Sequence, residues 1–508
     1  MCNNILILDF GGQYTFLIAR RIREAGVYCE IFPYNIPLSE IIKMNPKGII
    51  FSGGPSSVYE NNAPKISKEI FNLKIPILGI CYGMQMIAYL LGGKVLKSDK
   101  REYGFNRIKI LKNSILLSGV KDNSKIWMSH QDVVEKLPEG FEITSVTEYS
   151  KIASFEKGNI YGVQFHPEVS HTIEGMKIFK NFLFKICGCE KNWETKKIIE
   201  KIISDVQDKA KDSRVVTAVS GGVDSTIMAY LLYKALGKNF YGIFINNGLL
   251  RLGEEEEVLH NLKNRLGLPV KYINASNIFL KKLKGVIDPE RKRRIIGDTF
   301  VEIFFKEFKK GDLLAQGTLY PDVIESVSVF GPSSKIKTHH NRVKKILDLM
   351  AKGRVIEPFK FLFKDEVRAI GKSLGIPDDI IYRMPFPGPG LAVRILGEVT
   401  KEKLRILRQA DAIVREEIKN NCDIKKIWQA FAVLLPVKAV GVMGDARTYK
   451  NVVAVRIVES KDGMTADWVR LKYEILNKIS NRIINEVQEI NRVVYDISSK
   501  PPSTIEWE

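Results

Sequence analysis

Between Lys74 and Lys94 the chain runs for 19 residues without a charge. A stretch of that kind either crosses a membrane, which takes about 20 apolar residues, or is buried on all sides in a globular core. Pro76, the glycines at 79, 83, 92 and 93, and Gln85 interrupt it. Ile75 to Leu78 reads as a buried parallel strand and Met84 to Leu91 as the helix after it, which sets the membrane reading aside. Cys81 then falls on the turn, with a glycine two residues to either side. Small flanking residues permit the tight turn of a nucleophile elbow, and a thiol at a helix N-terminus has its thiolate favoured by the helix dipole.

A second segment, Gln164-Phe165-His166-Pro167-Glu168, supplies an imidazole and a carboxylate. In an extended stretch residues two apart point to the same side, so Glu168 can orient His166, which in turn can deprotonate Cys81. A lone cysteine in an apolar run is more often a small core residue, and His171 is a rival base. The residues alone leave both points open. Cys-Tyr-Gly-Met-Gln together with Gln-Phe-His-Pro-Glu, preceded by Ser52-Gly53-Gly54-Pro55, resembles the class I glutamine amidotransferase family from Leu6 to about residue 188. That resemblance implies attack of Cys81 on the side-chain amide of glutamine, with His166 protonating the departing ammonia. It also implies an oxyanion hole from the N–H groups of Gly54 and Tyr82, with Gln85 helping to hold the substrate.

At 508 residues the chain is too long for one core, and about three domains are expected. Six cysteines without regular spacing suit a reducing, cytoplasmic setting, and Cys187-Gly188-Cys189 lacks zinc-ribbon spacing and reads as structural. Met1 to Asn4 has no basic region ahead of the first strand, which argues against a signal peptide. The net charge of +20 raises nucleic acid as a partner, as do the clusters Lys281-Lys282-Leu283-Lys284 and Arg291-Lys292-Arg293-Arg294. The lysines are spread along the whole chain and no nucleic-acid module is evident. The surplus therefore reads as solvated surface, with some positive charge gathered around phosphate-bearing substrates.

After Cys189 the character changes. Trp193 to about Lys211 has the spacing of an amphipathic helix, and Val215 to Val219 that of a strand. Ser220-Gly221-Gly222-Val223-Asp224-Ser225 follows, then a helix from Thr226 to Leu236. Strand, Gly-rich loop and helix N-terminus form an anion cradle, and the absence of a Gly-Lys-Ser/Thr ending excludes a Walker loop. The full string resembles the PP-loop of ATP pyrophosphatases. By that resemblance Ser220, Gly221, Gly222, Val223, Asp224, Ser225 and Thr226 bind ATP. Ser220, Gly222 and Ser225 would hold the departing pyrophosphate, and Asp224 would sit near its magnesium. Tyr241 to Ile245 continues the sheet. Asp322 and Glu325, three apart, share a face if helical and are further Mg²⁺ candidates. His339 and His340 diverge in any regular structure and are not read as a zinc site.

An amidotransferase followed by a PP-loop, with Pro385-Phe386-Pro387-Gly388-Pro389-Gly390-Leu391 and the tail Lys500 to Glu508, resembles the glutamine-hydrolysing GMP synthase family along essentially the entire chain. The implied fold is α/β: two doubly wound parallel-sheet domains, residues 1–190 and 191–382, then a smaller α+β dimerisation and XMP-binding domain, 383–508. The implied reaction joins XMP to ATP as O2-adenylyl-XMP, releasing pyrophosphate, and ammonia from glutamine then displaces AMP to give GMP. Arg293, Gln429, Lys500, Ile505 and Glu506 are the implied XMP contacts, and Lys337, His339 and His340 belong to a lid over ATP. Mg²⁺ with ATP, no prosthetic group, a homodimer, and neither nucleic acid nor membrane as partner complete the expectation. Two departures stand out: Asn246-Asn247-Gly248 where many relatives begin with Asp, and a lid reading Arg342-Val343-Lys344-Lys345 after Asn341. The rivals are a glutamine-dependent NAD synthetase, whose amidase is of another type, and a tRNA-modifying protein, which the nucleotide-pocket tail disfavours.

Overall fold

The computed structural model describes residues 4–322, 344–443, 446–460 and 465–508. Glu325, Lys337, His339 and His340 lie outside the described residues. The chain divides into two compact units, one reaching to Ile198 and the other beginning at Ile199, so the boundary falls within the helix Thr195–Ala210.

The first unit is built on β1 (Ile5–Asp9), β2 (Cys29–Pro33), β3 (Gly48–Phe51) and β4 (Ile77–Ile80). Among the described residues the hairpin strands β5 (Lys94–Arg107) and β7 (Lys125–Lys136) pair only with each other, and β6 is Lys109–Ile110. β8 (Glu142–Val146), β9 (Ser154–Lys157) and β10 (Ile160–Val163) complete a sheet of order β2-β1-β3-β4-β10-β9-β8-β6. β1 to β4 and β10 run parallel, while β9, β8 and β6 extend the sheet antiparallel. The parallel strands are apolar on both faces because helices cover both. Leu6, Leu8, Ile49, Phe51 and Ile77 share one core cluster with Met84 and Ile87 from the helix Tyr82–Leu90.

In the second unit β11 (Val215–Ala218), β12 (Phe240–Asn246), β13 (Val270–Asn274), β14 (Leu313–Ala315) and β15 (Val355–Ile356) form an all-parallel sheet of order β13-β12-β11-β14-β15. β16 (Gln429–Met443) and β17 (Ala446–Glu459) form a long antiparallel pair, flanked by β18 (Asp467–Trp468) and β19 (Ile490–Tyr495). One apolar cluster joins the two sheets, running from Val216, Ile243 and Leu314 through Leu391 and Leu407 to Val453 and Ile483. Residues 199–382 and 383–508 therefore share a core.

Candidate active sites

The apolar strand stops at Ile80 and the helix starts at Tyr82, so Cys81 alone makes the turn. The strand lies two residues later than expected and the helix begins two residues earlier, which tightens the elbow. Cys81 takes φ +53° and ψ −107°, a strained conformation for a residue with a side chain. Its neighbours must be glycine. A Cβ on Gly79 would lie 2.6 Å from the Gly83 backbone, and one on Gly83 would lie 2.4 Å from the Phe51 carbonyl oxygen.

His166 and Glu168 sit in a turn after β10 rather than an extended segment, yet Nδ1 of His166 lies 2.6 Å from Oε1 of Glu168. The pairing survives because the loop is pinned. Thr172 Oγ1 donates to the His166 carbonyl at 2.6 Å, and Arg21 Nε donates to the Glu168 carbonyl at 2.9 Å. Gly175 lets Pro167 sit where any Cβ would collide with its carbonyl oxygen at 1.9 Å. Burial opposes a charge on the His166 ring, but Glu168 and the Cys81 sulfur outweigh it and hold the imidazole protonated well above the ordinary histidine range. Cys81, His166 and Glu168 are all buried, and Gly53 lies against both of the first two: a Cβ there would be 3.3 Å from His166 Cε1 and 3.9 Å from Cys81 Cβ. His171, the rival base, stacks on Trp127 at 4.6 Å between ring centroids.

Around the thiol, Gln164 Nε2 lies 3.8 Å from Sγ, and Sγ lies 3.7 Å from the Ser129 carbonyl oxygen. Gln85 Nε2 donates to the carbonyl of Asp132 at 2.8 Å and to Gln164 Oε1 at 3.3 Å, so its amide braces the wall of the site. Cys81 N donates to Val163 and Gly83 N to Ser52. The Tyr82 N–H between them is a first-turn donor with no acceptor inside its own helix. A Cβ on Gly54 would approach the Phe10 carbonyl oxygen at 2.8 Å. Tyr14, its ring edge-on to His166 at 5.1 Å, was not foreseen from the sequence.

In the second unit the helix Val223–Leu236 begins three residues earlier than expected, so Val223, Asp224 and Ser225 form its first turn and Gly222 caps it. Ser220 Oγ and Ser225 Oγ lie 3.0 Å apart, Gly222 N donates to Ser220 Oγ at 3.3 Å, and Ser225 Oγ donates to the Gly222 carbonyl at 3.1 Å. Thr226 is buried behind them. Asp224 Oδ2 lies 3.6 Å from Lys364 Nζ, while its Oδ1 is buried without a hydrogen-bond partner. Asp322 accepts from Leu319 N at 3.1 Å. Among the described residues no group of three or more His, Cys, Asp or Glu is arranged to hold a metal ion. Asn246 accepts from Gly248 N at 2.7 Å and donates to Glu255 at 2.5 Å, which brings a carboxylate beside the position where the sequence lacks one.

Three of the five expected nucleotide contacts, Lys500, Ile505 and Glu506, lie on the tail, and the other two, Gln429 and Arg293, hydrogen-bond to it. Glu506 takes both arms of Arg394, at 2.9 and 2.8 Å, and its Oε1 also accepts from Gln429 Nε2 at 3.2 Å. Ile505 packs beside Phe431 and Val433. Arg293 donates to the main-chain oxygen of Glu508, and Lys292 pairs with the Glu508 carboxylate. The backbone of Lys500 bridges to Ala466. The basic run Arg291 to Arg294 is therefore not simply solvated surface, since Lys292 is fully buried, and burial pushes its pKa down. Arg394 and Arg456, both fully buried, carried no signal in the sequence. Arg456 donates to the carbonyls of Ser498, Thr504 and Ile505 at 3.1, 2.8 and 2.8 Å.

Three known families match successive stretches of the chain. Residues 6–186 match the class-I glutamine amidotransferase family, 195–296 the NAD synthase family, and 416–507 the GMP synthase C terminal domain. GMP synthase [glutamine-hydrolyzing] of Caldicellulosiruptor saccharolyticus is 56% identical over 509 residues, covering 99% of both chains. That of Aquifex aeolicus is 56% identical over 510 residues, again covering 99% of both. The Brachyspira hyodysenteriae protein is 54% identical, with all of each chain covered. These relatives match the chain over almost its whole length at more than half identity, and the chain belongs to the glutamine-hydrolysing GMP synthase family.

Proposed function

We propose that the chain makes GMP from XMP, ATP and glutamine, using water and releasing glutamate, AMP and pyrophosphate. Full-length identity above half to GMP synthases carries this reading, and the separate cysteine and PP-loop sites supply its two half-reactions. Cys81 Sγ attacks the glutamine amide, with the imidazolium of His166 as proton donor to the leaving ammonia and Glu168 as its orienting carboxylate. The N–H groups of Gly54 and Tyr82 take the oxyanion. Water then releases glutamate from the sulfur.

At the second site the PP-loop N–H groups and the hydroxyls of Ser220 and Ser225 hold the departing pyrophosphate. Gln429, Arg293, Lys500, Ile505 and Glu506 form the XMP pocket, Glu506 being fixed by Arg394 so that its oxygens present a set direction. The unpartnered Oδ1 of Asp224 suits a hard, oxygen-preferring cation, and Mg²⁺ held there would neutralise phosphate charge. Asp322 and Glu325 are further proposed ligands, and Lys337, His339 and His340 the proposed lid.

No helix among the described residues is long and apolar enough to cross a membrane, and Cys29, Cys81, Cys187, Cys189 and Cys422 are free thiols. The free thiols support a reducing, cytoplasmic setting. Exposed Val440 and Val442 share a strand face, and Val440 is paired across the hairpin with exposed Tyr449. That apolar strip supports a homodimer, which Val442→Asp would convert to monomer in sedimentation; an intact dimer would place the contact elsewhere. The activity itself is tested by mixing protein, XMP, Mg-ATP and glutamine and following the absorbance change as XMP becomes GMP. No turnover with glutamine or with ammonium salt would contradict the reading.

A further inference from the structure

Gly221 and Gly222 share one planar peptide, whose carbonyl and N–H point in opposite directions. The carbonyl accepts a hydrogen bond from Arg383 Nη1 at 2.9 Å. The N–H is thereby turned the other way, into the cradle, where it meets Ser220 Oγ at 3.3 Å. Arg383 is itself held firmly. Its Nη2 donates to Glu254 Oε1 at 2.7 Å and lies 3.8 Å from Glu257. Glu254 is buried, and its second oxygen accepts from Arg251 N at 2.9 Å. The loop also has little freedom on this side. Gly221 has φ +78°, and a Cβ there would lie 2.4 Å from Val258. A cation bound to a peptide carbonyl polarises the unit and strengthens its N–H as a donor.

We propose that Arg383 is a positioning residue for adenylylation: it locks the Gly221–Gly222 peptide with its N–H toward the phosphates of ATP that leave as pyrophosphate. This rests on the PP-loop reading above. Arg383 touches neither nucleotide in this role. It acts through the loop, and Glu254 acts through Arg383.

The test is pyrophosphate release from Mg-ATP and XMP without a nitrogen source, with glutamine hydrolysis by the same preparations as an internal control. Arg383→Gln is expected to lower kcat/KM for ATP about 10- to 100-fold, the scale of a lost charge-assisted hydrogen bond. Arg383→Lys recovers part of the loss, and millimolar guanidinium recovers part of it in Arg383→Ala. If Arg383→Gln does not fold, Glu254→Gln leaves the cation present but loosened and is expected to cost about 3- to 10-fold. No pyrophosphate from the unaltered enzyme would sink the PP-loop reading itself. Normal release by the enzyme with unchanged kcat/KM in Arg383→Gln or Glu254→Gln would overturn the positioning role alone. So would a loss that neither lysine nor guanidinium relieves.

Discussion

Arg394 grips Glu506 with two parallel hydrogen bonds from a position of zero solvent exposure. The fork geometry suits a guanidinium facing a carboxylate, and the rings of Phe386 and Phe431 cover its faces. Asp411, also fully buried, lies 3.7 Å from Nη1 of Arg394. Burial alone would pull the Arg394 pKa down, but Glu506 and Asp411 together keep it raised. The tail is thus bound to the core by ion pairs rather than by a large apolar face.

Glu506→Ala leaves a fully buried cation short of its main partner. The expected cost is about 3 kcal/mol of stability, measured by chemical denaturation. XMP affinity should also fall. Loss of less than about 0.5 kcal/mol would show that the pair is not the tail's anchor.

Glu168→Gln should cut glutamine-dependent turnover about 10²- to 10⁴-fold while leaving ammonia-dependent turnover in place. It also has a signature in stability against pH. The folded His166 pKa is raised above its unfolded value of 6.5, so the Glu168 pairing stabilises fully below that value. That contribution disappears as pH rises through the raised folded value. The melting-temperature gap between enzyme and variant should be widest on the acid side and shrink toward alkaline pH. A gap that widens with pH would contradict the pairing.

Much of this was legible in the sequence because the signals are local. The uncharged run, broken at Gly79 and Gly83, signals strand, turn and helix around Cys81 within a few residues, though each element begins two residues from where it was expected. Ser220 to Ser225 likewise encodes strand, loop and helix within a few residues. What was missed depends on contacts far apart in the chain. Arg394 and Glu506 are 112 residues apart, and Arg456 and Ile505 are 49. Nothing near either arginine distinguishes it from a surface residue. Lys292 was hidden differently, since a run of four basic residues reads as solvated until the helix Pro289–Phe305 turns one of them inward. The antiparallel extension of the first sheet escaped because β8 and β9 carry short, mixed patterns.

Asp224→Ala should abolish AMP and pyrophosphate formation with either nitrogen source, because both need the adenylylated intermediate. Glutamine hydrolysis measured without nucleotides should persist, since Asp224 and Cys81 lie in different units. Near-normal pyrophosphate release would place the ATP site elsewhere.

The two-site account stands or falls on Cys81→Ala. GMP formation should be measured with glutamine and, separately, with high ammonium salt at alkaline pH, on protein whose melting profile matches the parent. The account predicts no detectable glutamine-dependent synthesis and ammonia-dependent synthesis within about twofold of the parent, because Cys81 serves only to release ammonia. Equal loss of both activities in the folded variant would contradict it.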